Sequence, residues 1–142
     1  MRSSLAACDR LGLLPSVVLR TVLLLHTLPD HSRHYDWLIQ RDADPEILVP
    51  TFRIEQRIDF GSSSTFLAER IADHRSLYLA YEGAIAGGRG VVARIAQGQV
   101  QIRNWLPEKI DLSLIFDGRS RSVVGVAVGG AMWRYEIGEH DR

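Results

Sequence analysis

Short apolar runs alternate with polar residues along most of this chain, and turn residues punctuate them at close spacing. Thr21 to His26 (TVLLLH) is a compact apolar run that ends at the turn signal Leu28-Pro29-Asp30. His34 to Gln40 (HYDWLIQ) follows, then ILVPTFRIEQRI over 47–58, where Pro50 predicts an edge position or a bulge. In SSSTFLAERIADH over 62–74, serines suited to an N-cap precede Phe66, Leu67 and Ile71, so the spacing predicts one short helix over Ser64 to Ile71. Beyond it come SLYLAYEG, the glycine-rich turn AGGRG (86–90) and VVARIAQ, with Gln97-Gly98 predicted to turn the chain into QVQIRNWL. The clearest alternation is KIDLSLIF, with Ile110, Leu112, Leu114 and Phe116 on one face and Asp111 and Ser113 on the other. Asp117-Gly118 is a hairpin signal, and SVVGVAV, the Gly129-Gly130 break and AMWRYEIG complete the series. About nine short strands with one short helix predict an all-β barrel or sandwich.

Two regions are defined by this pattern. Residues 1–19 are apolar but interrupted by Asp9, Arg10 and Pro15, too broken for a membrane span of about twenty residues and without the uncharged core of a signal peptide. They are expected to form a short helix or a loose arm, with residues 20–142 as one domain. The chain has 142 residues, enough for one core without disulfides or metals. Cys8 is the only cysteine, which fits a reducing compartment and the cytoplasm. Seventeen basic residues balance seventeen acidic ones, which weighs against broad electrostatic binding of nucleic acid. Lys109 is the only lysine, however, and arginine forks onto phosphate oxygens as lysine does not. A local arginine-lined groove stays open.

Candidate chemistry concentrates in His26 to Asp36 (HTLPDHSRHYD), with three histidines and two aspartates. On a strand, His34 and Asp36 project from one face and Tyr35, Trp37 and Ile39 from the other. An imidazole beside a carboxylate suits a divalent metal if a neighbouring strand supplies a third ligand, and His26 is the nearest candidate. The same tract also reads as turn histidines with capping aspartates. In DHRSLYLAYEG (73–83), His74, Ser76 and Tyr78 would share one face of an extended strand. A histidine beside a tyrosine suits proton donation or phosphate binding. Taken alone, a satisfied junction histidine and a wall tyrosine explain it as well. AGGRG lacks the lysine and hydroxyl residue of a nucleotide P-loop and reads as a hairpin turn with Arg89 at its tip. Ser62, Ser63 and Ser64 read as a cap, and His31 and His140 as solvated loop residues.

Taken in order, these motifs resemble the 3′-phosphoesterase domain of bacterial DNA ligase D, especially its short stand-alone relatives. The matching residues are His26, then His34-Tyr35-Asp36, then Asp73-His74 with Tyr78, then Tyr81-Glu82-Gly83 leading into a glycine-rich continuation. The likeness covers about residues 20 to 137. It implies a single compact β-barrel of about eight or nine short strands with one short helix. It also implies a hydrolase of DNA repair that uses manganese, with zinc as the alternative, to trim 3′ phosphate or ribonucleotide ends. By that likeness His26, His34 and Asp36 hold the metal, and His74 and Tyr78 bind and protonate the phosphate. The implied partners are nucleic-acid 3′ ends, DNA or a DNA/RNA primer, and other end-repair proteins, with no membrane. The pattern departs from the family at Leu38, where the family has a phosphate-clamping arginine, and at Gln40, where it has an acidic residue. Leu38 is therefore expected to border the phosphate and weaken activity, with Arg33, Arg53, Arg75 or Arg89 as substitutes. The alternative is a non-catalytic metal-binding barrel that serves as an accessory module in repair.

Overall fold

The computed structural model describes residues 18–60 and 64–139. Most of the expected N-terminal arm, the cap serines Ser62 and Ser63, and His140 lie outside the described residues. The strands are β1 (Leu19–Thr27), β2 (Arg33–Ile39), β3 (Val49–Ile54), β4 (Thr65–His74), β5 (Gly83–Ala84), β6 (Val91–Trp105), β7 (Lys109–Phe116), β8 (Arg119–Gly129) and β9 (Met132–Glu139). All neighbours pair antiparallel, in the order β1-β2-β3-β4-β9-β8-β7-β6-β5. Because β6 also pairs with β1, eight strands close into a barrel, and β5 is an extra strand paired with the N-terminal end of β6. The all-β barrel is as expected, with β1 starting one residue before the anticipated boundary.

Aromatic side chains fill the barrel. Trp37, Phe52, Phe66, Trp133 and Tyr135 pack together, with Phe66 stacked on Tyr135 at 5.1 Å and Trp37 edge-on to Tyr135 at the same distance. The Tyr135 hydroxyl is buried there without a hydrogen-bond partner among the described residues, and burial pushes its ionisation far above the ordinary range. A filled interior leaves the outer surface as the place for a ligand.

A second, smaller apolar cluster forms on that outer surface. Val22, Leu24, Leu38, Val49 and Val92 make its floor, and Tyr78, Leu79, Tyr81 and Ile85 roof it. The run TVLLL does not alternate for this reason: Leu23 faces the barrel, and Val22 and Leu24 face the roof. The roof is the excursion between β4 and β6, which contains a 3₁₀ turn at Ser76–Leu79.

Three expectations are corrected. Residues 65–71 are strand, not helix: Phe66 and Ala68 are buried and Leu67 between them is exposed, a period of two. A helix of three turns has little stability alone, whereas this segment gains paired backbones on both sides, from β3 and β9. SLYL is the 3₁₀ turn rather than a strand, so Ser76 does not share an extended face with His74 and Tyr78. Its hydroxyl donates to the Pro45 carbonyl at 2.7 Å instead. Gln97-Gly98 does not turn the chain, because β6 runs through it. A Cβ at Gly98 would stand 2.1 Å from the Ile115 carbonyl oxygen, so the glycine admits a close strand crossing. Gly98→Ala should therefore cost about 1–3 kcal/mol, as overpacking does, read as a lower urea midpoint at unchanged m-value. An unchanged midpoint would show that the two strands separate freely there.

Other turn signals hold. Pro50 sits at a register shift between Val49 and Thr51, the bulge that lets a proline occupy an interior strand. Asp117 and Gly118 both have positive φ in the two-residue hairpin between β7 and β8.

Candidate metal centre

β1 and β2 pair so that His26 lies directly opposite His34, and Asp36 follows two residues later on the same outer face. The two imidazole rings stand edge to face, centroids 4.9 Å apart. Asp36 is 2 % exposed and forms the hub. Its Oδ1 lies 3.0 Å from His34 Nε2, and its Oδ2 lies 3.5 Å from His26 Nδ1 and 3.6 Å from His74 Nε2. His74 closes β4, and the Tyr78 ring packs edge-on against it at 5.6 Å. All five residues line one open cavity of about 340 Å³ beneath the roof.

Backbone carbonyls set two of the rings. A carbonyl only accepts, so His26 Nε2–H donates to Arg89 O at 2.8 Å and His74 Nδ1–H donates to Ala72 O at 3.0 Å. In the neutral rings this leaves His26 Nδ1 and His74 Nε2 bare, both facing a carboxylate oxygen. Lone pair against carboxylate is repulsive unless a proton or a cation comes between them. His34 Nε2 and Asp36 Oδ1, though close, lack hydrogen-bond geometry and are buried with no partner among the described residues. Ligating histidines usually donate their other N–H to a carbonyl or carboxylate, the arrangement His26 has here. Ligand atoms of His26, His34 and Asp36 fall within 4.8 Å of one another, a group that could hold a metal ion. Two imidazoles and one carboxylate suit manganese or zinc and leave coordination positions open.

The electrostatics separate the histidines. Burial, with the charge of Arg53 and His26 nearby, holds His34 below the usual imidazole range despite Asp36, so it stays neutral and able to ligate. Burial presses His74 the same way, but Asp36, the Ala72 carbonyl and Asp73 outweigh it and the net direction is up. His74 thus keeps its proton to higher pH than His34 does.

The expected site residues His26, His34, Asp36, His74 and Tyr78 all meet in the cavity. Leu38 does not: it shares their strand face but is fully buried in the smaller apolar cluster, so it does not border a ligand in the cavity. Of the candidate arginines, Arg53, Arg75 and Arg89 line the cavity and Arg33 does not. His31 is an exposed turn residue. Glu82 accepts from the Arg94 amide at 2.7 Å and anchors the roof. The Ala72 and Arg89 carbonyls carry no side-chain signal and were not legible as site groups. No family model matches this chain, and no curated protein matches it.

Proposed function

We propose that this protein is a divalent-metal-dependent phosphoesterase acting on 3′ ends of nucleic acid, DNA or a DNA/RNA primer, in end repair. Manganese is the expected ion and zinc the alternative. The observation that carries the reading is the group of His26, His34 and Asp36, whose close-set ligand atoms include two buried without partners, at the foot of an arginine-lined cavity. His26, His34 and Asp36 would hold the ion. When bound, it would polarise a phosphate oxygen and make a coordinated water more acidic.

The chain's own groups supply the rest. As water attacks phosphorus, the bond to the 3′ oxygen breaks, and that oxygen takes the proton carried on His74 Nε2. Asp36 and the Ala72 carbonyl orient His74 and favour its protonated form, which suits a general acid. Tyr78 packs against the His74 ring and holds it toward the cavity.

The test is purified protein with manganese on a primer-template ending in a 3′ phosphate or a 3′ ribonucleotide. Release of the end group should require the metal and disappear in His34→Ala. If folded, metal-bound wild type releases nothing, the accessory-module reading replaces this one. Among the described residues no helix is long and apolar enough to cross a membrane.

A further inference from the structure

On the outer surface, two separate segments build an apolar patch together. The loop between β2 and β3 and the 3₁₀ turn after β4 are joined by the Ser76 hydroxyl, which donates to the Pro45 carbonyl. Between them runs a groove of about 300 Å³ lined by Pro45, Glu46, Leu48, Arg75, Ser76 and Leu77. Leu48 is 51 % exposed and Leu77 40 %, and Ile47 on the same loop is 45 % exposed. Single exposed aliphatic side chains are ordinary, but leucines from two segments that a hydrogen bond ties together form a contiguous surface.

The loop is also held in shape. Asp42 Oδ1 accepts from the Asp44 amide and Asp44 Oδ1 from the Glu46 amide, each at 2.9 Å, and the Asp44 carbonyl accepts from the Ile47 amide at 3.0 Å. A surface shaped in advance loses little freedom on binding. Glu46 and Arg75 are exposed at the groove, and neither side chain has a polar partner among the described residues. A partner for this surface must bring aliphatic side chains to the centre, a cation to Glu46 and an anion to Arg75. The same surface turned by a two-fold axis brings all three.

We propose that this groove is the interface of a symmetric dimer of this chain. Leu48 and Leu77 of the two copies pack together, and Glu46 of each copy pairs with Arg75 of the other. Six lining residues fall short of the roughly 20–30 a side of a stable complex, so the dimer is a weak one, with a dissociation constant of about 0.1–1 mM. Arg75 lines the metal-centre cavity as well, so both cavities of the dimer open beside the interface.

The experiment is sedimentation equilibrium of the full chain up to about 1 mM, beside Leu48→Asp, Glu46→Arg and Arg75→Glu. All three side chains are exposed, so each variant should keep the urea midpoint of wild type. Wild type should show a concentration-dependent dimer. Leu48→Asp should weaken it about 10–100-fold, because the change counts twice in a two-fold dimer. Glu46→Arg alone and Arg75→Glu alone should each weaken it about tenfold or more, since both ion pairs become like charges. Mixed in equal amounts, these two variants should associate again, because both pairs are then of opposite charge. Wild type that stays monomeric to about 1 mM would overturn the inference. So would wild-type association by Leu48→Asp, or a mixture no more associated than its two components.

Discussion

Asp36→Asn should abolish tight divalent-metal binding while leaving the barrel folded. The substitution keeps size and shape but removes the carboxylate at the centre of His26, His34 and His74. Removing a group that only hydrogen-bonds to a metal ligand typically costs about 10–100-fold in metal affinity, so losing a ligand together with its charge should exceed the upper end of that range. The fold should survive because an amide can donate. Its N–H groups would face the bare His26 Nδ1 or His74 Nε2, replacing a repulsion with a hydrogen bond. Calorimetry with manganese and zinc, beside a thermal melt in chelator, separates the two effects. Wild-type affinity in Asp36→Asn would remove Asp36 from the ligand set.

The same titration should depend on pH in a definite direction. Protons compete with the metal for imidazole nitrogen, so affinity should fall as pH drops below about 6.5. Burial moves the contribution of His34 to lower pH. In metal-free protein the two shifted histidines act oppositely on stability. His34, depressed in the fold, contributes stability that is lost as pH falls below its unfolded value. His74, raised in the fold, contributes stability at low pH that is lost as pH rises through its folded value.

Leu38→Arg should collapse stability rather than raise turnover. From the strand face alone, an arginine there would be expected to reach the phosphate. In the structure Leu38 is fully buried in the apolar cluster of Val22, Leu24, Val49, Leu79 and Val92. An unpaired charge in such a place costs several kcal/mol after relaxation, against a total stability of about 5–15 kcal/mol for a domain. The longer side chain must also displace the roof. Leu38→Ala, which only leaves a cavity, should cost about 2–5 kcal/mol and remain folded enough to compare. Urea unfolding of the three proteins is the measurement. A Leu38→Arg midpoint within the error of wild type would mean that the side chain escapes into the cavity, and the expectation drawn from the strand face would stand.

Much of the barrel was legible along the chain because strand periodicity is local. The inward face Ile110, Leu112, Leu114 and Phe116, the bulge at Pro50 and the hairpin at Asp117-Gly118 each follow from residues within a few positions of one another. So does the pairing of His34 and Asp36 on one face of β2, which needs only the alternation of a strand. Over 65–71 a sparse apolar spacing fits both helix and strand, and only β3 and β9 on either side decide between them.

The sequence by itself determined which side chains share a face: His34, Asp36 and Leu38 lie on one side of β2, and Trp37 and Ile39 on the other. Only the tertiary structure decided what covers that face at each depth. The residue 75–90 excursion seals Leu38 into apolar contacts and leaves His34 and Asp36 at the edge of a cavity a few ångströms further along the same strand. Register across strands likewise brought His26 opposite His34 and Arg53 opposite Asp36. The physical reason is that periodicity is a property of one strand's backbone. Depth, covering and cross-strand neighbours depend on how distant segments close the barrel, and no local spacing encodes that.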